Sequence, residues 1–157
     1  MGWFPALALL LLVRLGVSYD ITARLHEADR TVSGNCVITV VNLGDRPLDT
    51  VWIHLHPDAF SSRNTEFARE MEKMENFELA WATPEQLGGI TIDSLASSSH
   101  PAWLVRQGAE AALPLSPALS AGDTLDLRAD FTTRVPDFFF ERLGCRGRAF
   151  LLSHWYP

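Results

Sequence analysis

The sequence predicts a mainly β fold: an antiparallel β-sandwich, or a pair of saddle-shaped sheets, with one amphipathic helix inserted after the third strand. Three observations carry this reading. Apolar and polar residues alternate with period two in short runs, most clearly in 19–27 and 124–136. Turn clusters, not helices, separate most of these runs. One stretch, 64–81, changes to helical spacing.

Taken in order, 19–27 sets Tyr19, Ile21, Ala23 and Leu25 on one side and Asp20, Thr22, Arg24 and His26 on the other, a half-buried strand. A turn at 27–30 leads to a β-rich return over 31–42. After the turn cluster 43–49, a third strand follows over 50–60, with Val51, Ile53 and Leu55 facing one way and Trp52, His54 and His56 the other. Phe67, Met71, Met74 and Phe77 then form a helical stripe, capped by Asn64 or Thr65 and best read as core packing. Thr83, Pro84 and Gln86 spell a capping box that "LGG" stops after about one turn. Strands are expected at 89–96 and 102–108, and a short strand and turn within 111–123. A clear strand at 124–136 turns Leu125, Leu127, Ala129 and Phe131 inward. An aromatic excursion, 137–147, precedes the last apolar run.

The first eighteen residues read differently. Residues 3–13 are uninterrupted apolar, the length of a signal-peptide core and too short to span a bilayer. Gly16 and Ser18 supply the small residues of a cut before Tyr19, although Arg14 follows the apolar run and no Lys or Arg precedes it. The expectation is a leader over 1–18, a mature domain over 19–157, and export to a periplasmic or extracellular space. An uncleaved N-terminal anchor is the alternative.

The chain carries a net charge of −6, and losing Arg14 with the leader makes it −7. That charge argues against nucleic acid or an anionic membrane as partner, and no membrane span is expected after cleavage. Arg142, Arg146 and Arg148 cluster, but three arginines in an acidic chain read as a solvated or paired face. Cys36 and Cys145 permit one disulfide in an exported protein; two buried thiols fit equally well.

Two stretches imitate metal chemistry. His26-Glu27 begins the H-E-x-x-H of a zinc protease, but Arg30 stands in the second histidine's place and the pair lies at a strand end, not in a helix. His54 and His56 share a strand face near Asp58 without a fourth ligand, which leaves a zinc site incomplete. There is no nucleophile elbow, P-loop, dinucleotide loop or C-x-x-C. From the residues alone, no catalytic, cofactor-binding or metal-binding residue is assigned.

The order of landmarks says more. Tyr19 and Ile21, then Val32 and Gly34, Ile38 and Asn42, then Leu55, Pro57, Ala59 and Phe60, follow one another at characteristic turns. "EFARE", "GGITID", "LPLSPALSAGDTLDLRADF" and "RLGCRGRAFLLSHWYP" come later. This ordered set resembles the N-terminal β domain of the aminopeptidase N-like (gluzincin) zinc metallopeptidases, particularly their bacterial branch, over about 19–157. Asp58 stands where that pattern usually has Asn.

The resemblance implies a saddle-shaped domain that precedes a thermolysin-like catalytic domain. Zinc is expected in that domain and none in this chain. Met74-Glu75-Asn76 echoes the family's substrate loop, but Lys73 precedes it and the spacing puts it mid-helix, so it is a second decoy. The implied partners are the catalytic domain, in cis or as a split partner, and the peptide substrate of the whole enzyme. A free-standing secreted β-sandwich module that binds peptide or protein is the competing expectation.

Overall fold

The computed structural model describes residues 14–138 and 142–157. Most of the expected leader, including its apolar core 3–13, and Phe139 and Phe140 of the aromatic excursion lie outside the described residues. In chain order the elements are β1 (Leu15–His26), β2 (Thr31–Asn42), β3 (Leu48–His54), a 3₁₀ turn (His56–Phe60) and α1 (Glu66–Lys73). There follow β4 (Gly89–Ser97), β5 (Val105–Gln107), β6 (Glu110–Leu119), β7 (Thr124–Arg134), β8 (Leu143–Arg146) and β9 (Ala149–Leu152).

Every pairing is antiparallel. One sheet runs β1-β2-β7-β4, a second runs β3-β6-β5, and β8 with β9 forms a separate hairpin. The chain is mainly β with one α-helix after the third strand, as the sequence predicts.

The two larger sheets face each other across one core. Cys36, Ile38 and Val40 of β2 and Leu125, Leu127, Ala129 and Phe131 of β7 meet Val51 and Ile53 of β3 and Leu113 and Leu115 of β6. Along β7 the buried residues alternate strictly with exposed ones as far as Phe131. Its solvent face carries polar pairs: Thr39 donates to Asp126 at 2.7 Å and Ser94 to Asp130 at 2.6 Å. One dry face and one wet face is the usual economy of an antiparallel sheet.

A second cluster closes one end of the sandwich. Phe60, Ala68, Leu79 and Ala82, from the 3₁₀ turn through the segment after α1, pack with Val135, Phe138, Leu143 and Cys145. Trp155 contacts both clusters, and Thr133, fully buried in β7, donates to its carbonyl at 2.6 Å. Among the described residues Asn42 is the other fully buried polar side chain. Its Nδ2 donates to the carbonyls of Arg46 and Leu119, at 2.8 and 3.0 Å, while its Oδ1 accepts from Gly44 N–H at 3.0 Å. A buried amide with partners at both ends is stable where a half-satisfied one is not.

Several expectations need correction. β1 is not half-buried but an edge strand exposed along most of both faces; only Gly16, Ile21 and His26 are partly covered. The third strand stops at His54, because Pro57 suits the start of a 3₁₀ turn and has no N–H for a ladder. The helix stops at Lys73, so Met74-Glu75-Asn76 follows it and is not within it. The strand expected over 102–108 shrinks to Val105–Gln107, and the short strand within 111–123 grows to the ten residues of β6. Pro114 and Pro117 are tolerated there because β5 pairs only as far as Ala112, leaving that side of β6 free of a ladder.

Candidate functional site

The sequence offered two metal imitations, and the structure takes both apart. His26 closes β1 and Glu27 begins the turn. The His26 Nε2 lies 2.8 Å from Ser33 Oγ, Glu27 pairs loosely with Arg148 at 3.7 Å, and Arg30 ties the turn to other parts of the chain. Arg30 Nη2 donates to the Glu85 carbonyl at 2.6 Å, and its Nη1 lies 3.1 Å from Asp137 Oδ2.

His54 and His56 do lie together, with ring centroids 5.4 Å apart and planes 14° from parallel. Parallel rings present faces to each other, whereas two imidazoles sharing one ion aim their nitrogens at a common point. Asp58 does not join them. It accepts from Ile90 N–H at 2.9 Å and from Arg106 at 2.7 Å, although its burial outweighs both and holds its carboxyl above the ordinary range. Among the described residues no group of three or more His, Cys, Asp or Glu side chains is arranged to hold a metal ion.

The cysteines separate as well. Both are buried free thiols, Cys36 between the sheets and Cys145 in the end cluster. Burial raises each thiol above its ordinary value, which leaves little thiolate for reaction or ligation.

What the sequence missed is a third histidine. His154 follows β9 with φ +54, a left-handed backbone uncommon outside glycine, and its Nδ1 lies 2.9 Å from Ser153 Oγ. This places its ring edge-on to His56, with centroids 4.8 Å apart. His54, at the far end of the row, is 3.5 Å from Glu110. Partial burial of the His56 ring lowers its pKa, and His154, His54 and Arg142 lower it further. A sequence separation of 98 residues hid the contact.

Two concavities meet at His56 and His154. One is a pocket of about 310 Å³ with Phe60, Phe67 and Leu143 inside and Arg142 at its rim. The other, about 350 Å³, is a groove where β1 and β3 leave the sandwich open; Val17, Tyr19, Trp52 and Tyr156 line it. Tyr19 and Tyr156 pack edge to face across it at 5.3 Å. Trp52 stays 51% exposed.

No family model matches the chain, and no curated protein does. Among solved structures, the crystal structure of a two-domain M1 zinc metallopeptidase with L-tryptophan bound is similar, with a TM-score of 0.50 and 16% identity. The likeness covers 91% of this chain and 30% of that one. At this identity it is a likeness of fold. The chain spans less than a third of that neighbour's length.

Proposed function

We propose that this chain is the non-catalytic N-terminal β domain of an exported, aminopeptidase N-like zinc metallopeptidase of the bacterial branch. Its work is to pack against the zinc-binding domain and wall one side of the substrate cleft. The observation that carries this reading is the fold likeness, which runs through nearly the whole chain yet takes up 30% of the two-domain metallopeptidase. The ordered landmarks from Tyr19 to the final Trp155-Tyr156-Pro157 support it independently. The catalytic domain is its partner, in the same chain or as a separate one, and peptide is the substrate of the assembled enzyme.

Peptide hydrolysis of this type needs a metal-bound water, a carboxylate to take its proton and a third metal ligand. Residues 19–157 offer no such set, so purified protein is expected to release no N-terminal amino acid from a peptide, with or without added zinc. Zinc-dependent aminopeptidase activity of these residues alone would overturn the reading. Export is tested separately: the N-terminus of the secreted protein should be Tyr19, and a sequence beginning at Met1 would reject the cut after Ser18. Such a cut removes the part of β1 that pairs Leu15–Ser18 with residues 39–42 and leaves the Tyr19–His26 pairs in place.

A further inference from the structure

The pocket beside His154 has a composition that selects its ligand. Its inner surface is apolar, from Phe60, Phe67 and Leu143. Its rim is cationic or able to become so, from Arg142, His56 and His154, and no Asp or Glu is among the described residues that line it. Arg142 is exposed and makes no ion pair with the described residues. Among the described residues, the groups acting on His56 are His54 from β3, His154 after β9 and Arg142 before β8, and Glu110 of β6 lies 3.5 Å from His54.

With no carboxylate among the described residues that line the pocket, positive charge on the histidines is opposed by Arg142, and a bound anion offsets that repulsion. His154 is held there in a backbone conformation that residues other than glycine seldom adopt. A volume of about 310 Å³ takes a small ligand, at the lower end of the usual range for binding pockets.

We propose that this pocket binds the C-terminal residue of a peptide, with a large apolar side chain against Phe60, Phe67 and Leu143 and the free carboxylate at Arg142, His154 and His56. A phosphate or nucleic acid backbone would leave the apolar interior unfilled. A peptide N-terminus would bring an ammonium to a cationic rim. The site lies within this chain and does not depend on the metallopeptidase reading; the end of the peptide it takes is opposite to the one an aminopeptidase cuts.

The test is a calorimetric or NMR titration of the full chain with N-acetyl-phenylalanine, its neutral amide and the cationic phenylalaninamide. The acid should bind saturably, the neutral amide about tenfold more weakly, and the cation not measurably, since one lost charge-assisted contact is worth roughly that factor. Arg142→Gln should bring the acid's affinity down to that of the amide at unchanged melting temperature, because the side chain is exposed. Phe67→Ala should weaken acid and amide alike. Equal affinity for acid and amide, no saturation, or indifference to Arg142→Gln would each overturn the assignment.

Discussion

Arg30 occupies the place where a zinc helix would carry its second histidine, and its contacts account for the arginine. It has φ +53 at the end of the β1–β2 turn, its carbonyl accepts from Val135 N–H at 2.8 Å, and its guanidinium reaches the Glu85 carbonyl and the Asp137 carboxylate. Arg30→His restores the spelling H-E-x-x-H but not the helix that gives it meaning. The variant is expected to bind no stoichiometric zinc by elemental analysis and to lose about 1–3 kcal/mol in equilibrium unfolding, the usual effect of stranding partly buried partners. The decoy was legible in the sequence because period-two alternation around His26 excludes a helix. The role of Arg30 was not, since Glu85 and Asp137 are more than fifty residues away along the chain. His56 gives a prediction of sign. Its pKa in the folded chain lies below the ordinary value, so the unfolded chain takes up its proton first as pH falls. Stability should therefore fall on acidification from about pH 6.5, the unfolded imidazole's range, down to the folded value. His56→Gln should flatten the melting temperature between pH 7 and 5.5; an unchanged slope would show that the histidine row is not strained by charge.

At the scale of elements, periodicity found the strands and the helix but overran the helix's end. Thr65 caps α1 by accepting from Ala68 N–H at 3.1 Å, and the cap itself was readable as one of two candidates. The apolar stripe continued through Met74 and Phe77, so spacing alone extended the helix. The backbone leaves it because Glu75 takes φ +60 and Asn76 Oδ1 accepts from Glu78 N–H at 3.1 Å, a local bond that competes with the helical ladder. Met74 is left 67% exposed, and Phe77 stacks on Trp81 at 5.4 Å instead of entering the core. Gly34 shows what pattern reading cannot see. A Cβ there would lie 2.8 Å from Phe131 Cζ, 3.0 Å from the Thr22 carbonyl oxygen and 3.1 Å from Ala23 Cβ. The large ring on β7 therefore fits over β2 only because β2 has no side chain at that point. Gly34→Ala should destabilise by about 1–3 kcal/mol, the range for forcing atoms into a packed core. Phe131→Leu, which removes the Cζ, should make the second substitution less damaging, and additive effects in a double-mutant cycle would reject the contact as the cause.

At the scale of the whole molecule, the described residues leave apolar surface open along a groove between the two sheets. The sequence places Phe138, Phe139, Phe140, Trp155 and Tyr156 near the C-terminal end, where an apolar patch to be met by another domain is expected; Phe139 and Phe140 lie outside the described residues. Phe138 is 5% exposed within the end cluster, while Trp155 and Tyr156 are half-buried, Trp155 against both clusters and Tyr156 against the core between the sheets. Among the described residues, apolar surface faces solvent along the groove between β1 and β3, through Val17, Tyr19 and Trp52, while Met74 and Trp81 are exposed singly elsewhere. This follows from topology, because β1 and β3 are each the last strand of their sheet on that side and no described strand closes the gap. Contiguous apolar surface of this kind marks an interface more often than it marks a finished exterior. The chain should accordingly bind a hydrophobic dye or self-associate, and both tendencies should decrease when the catalytic domain is supplied. The groove makes the prediction specific: Tyr19→Thr with Trp52→Thr should suppress dye binding and association at nearly unchanged stability. Phe138→Ala should instead lower stability by about 3–5 kcal/mol, the effect of emptying a buried aromatic site. A monodisperse chain that ignores the dye would favour the free-standing module, and dye binding that survives the double substitution would place the interface elsewhere on the sandwich.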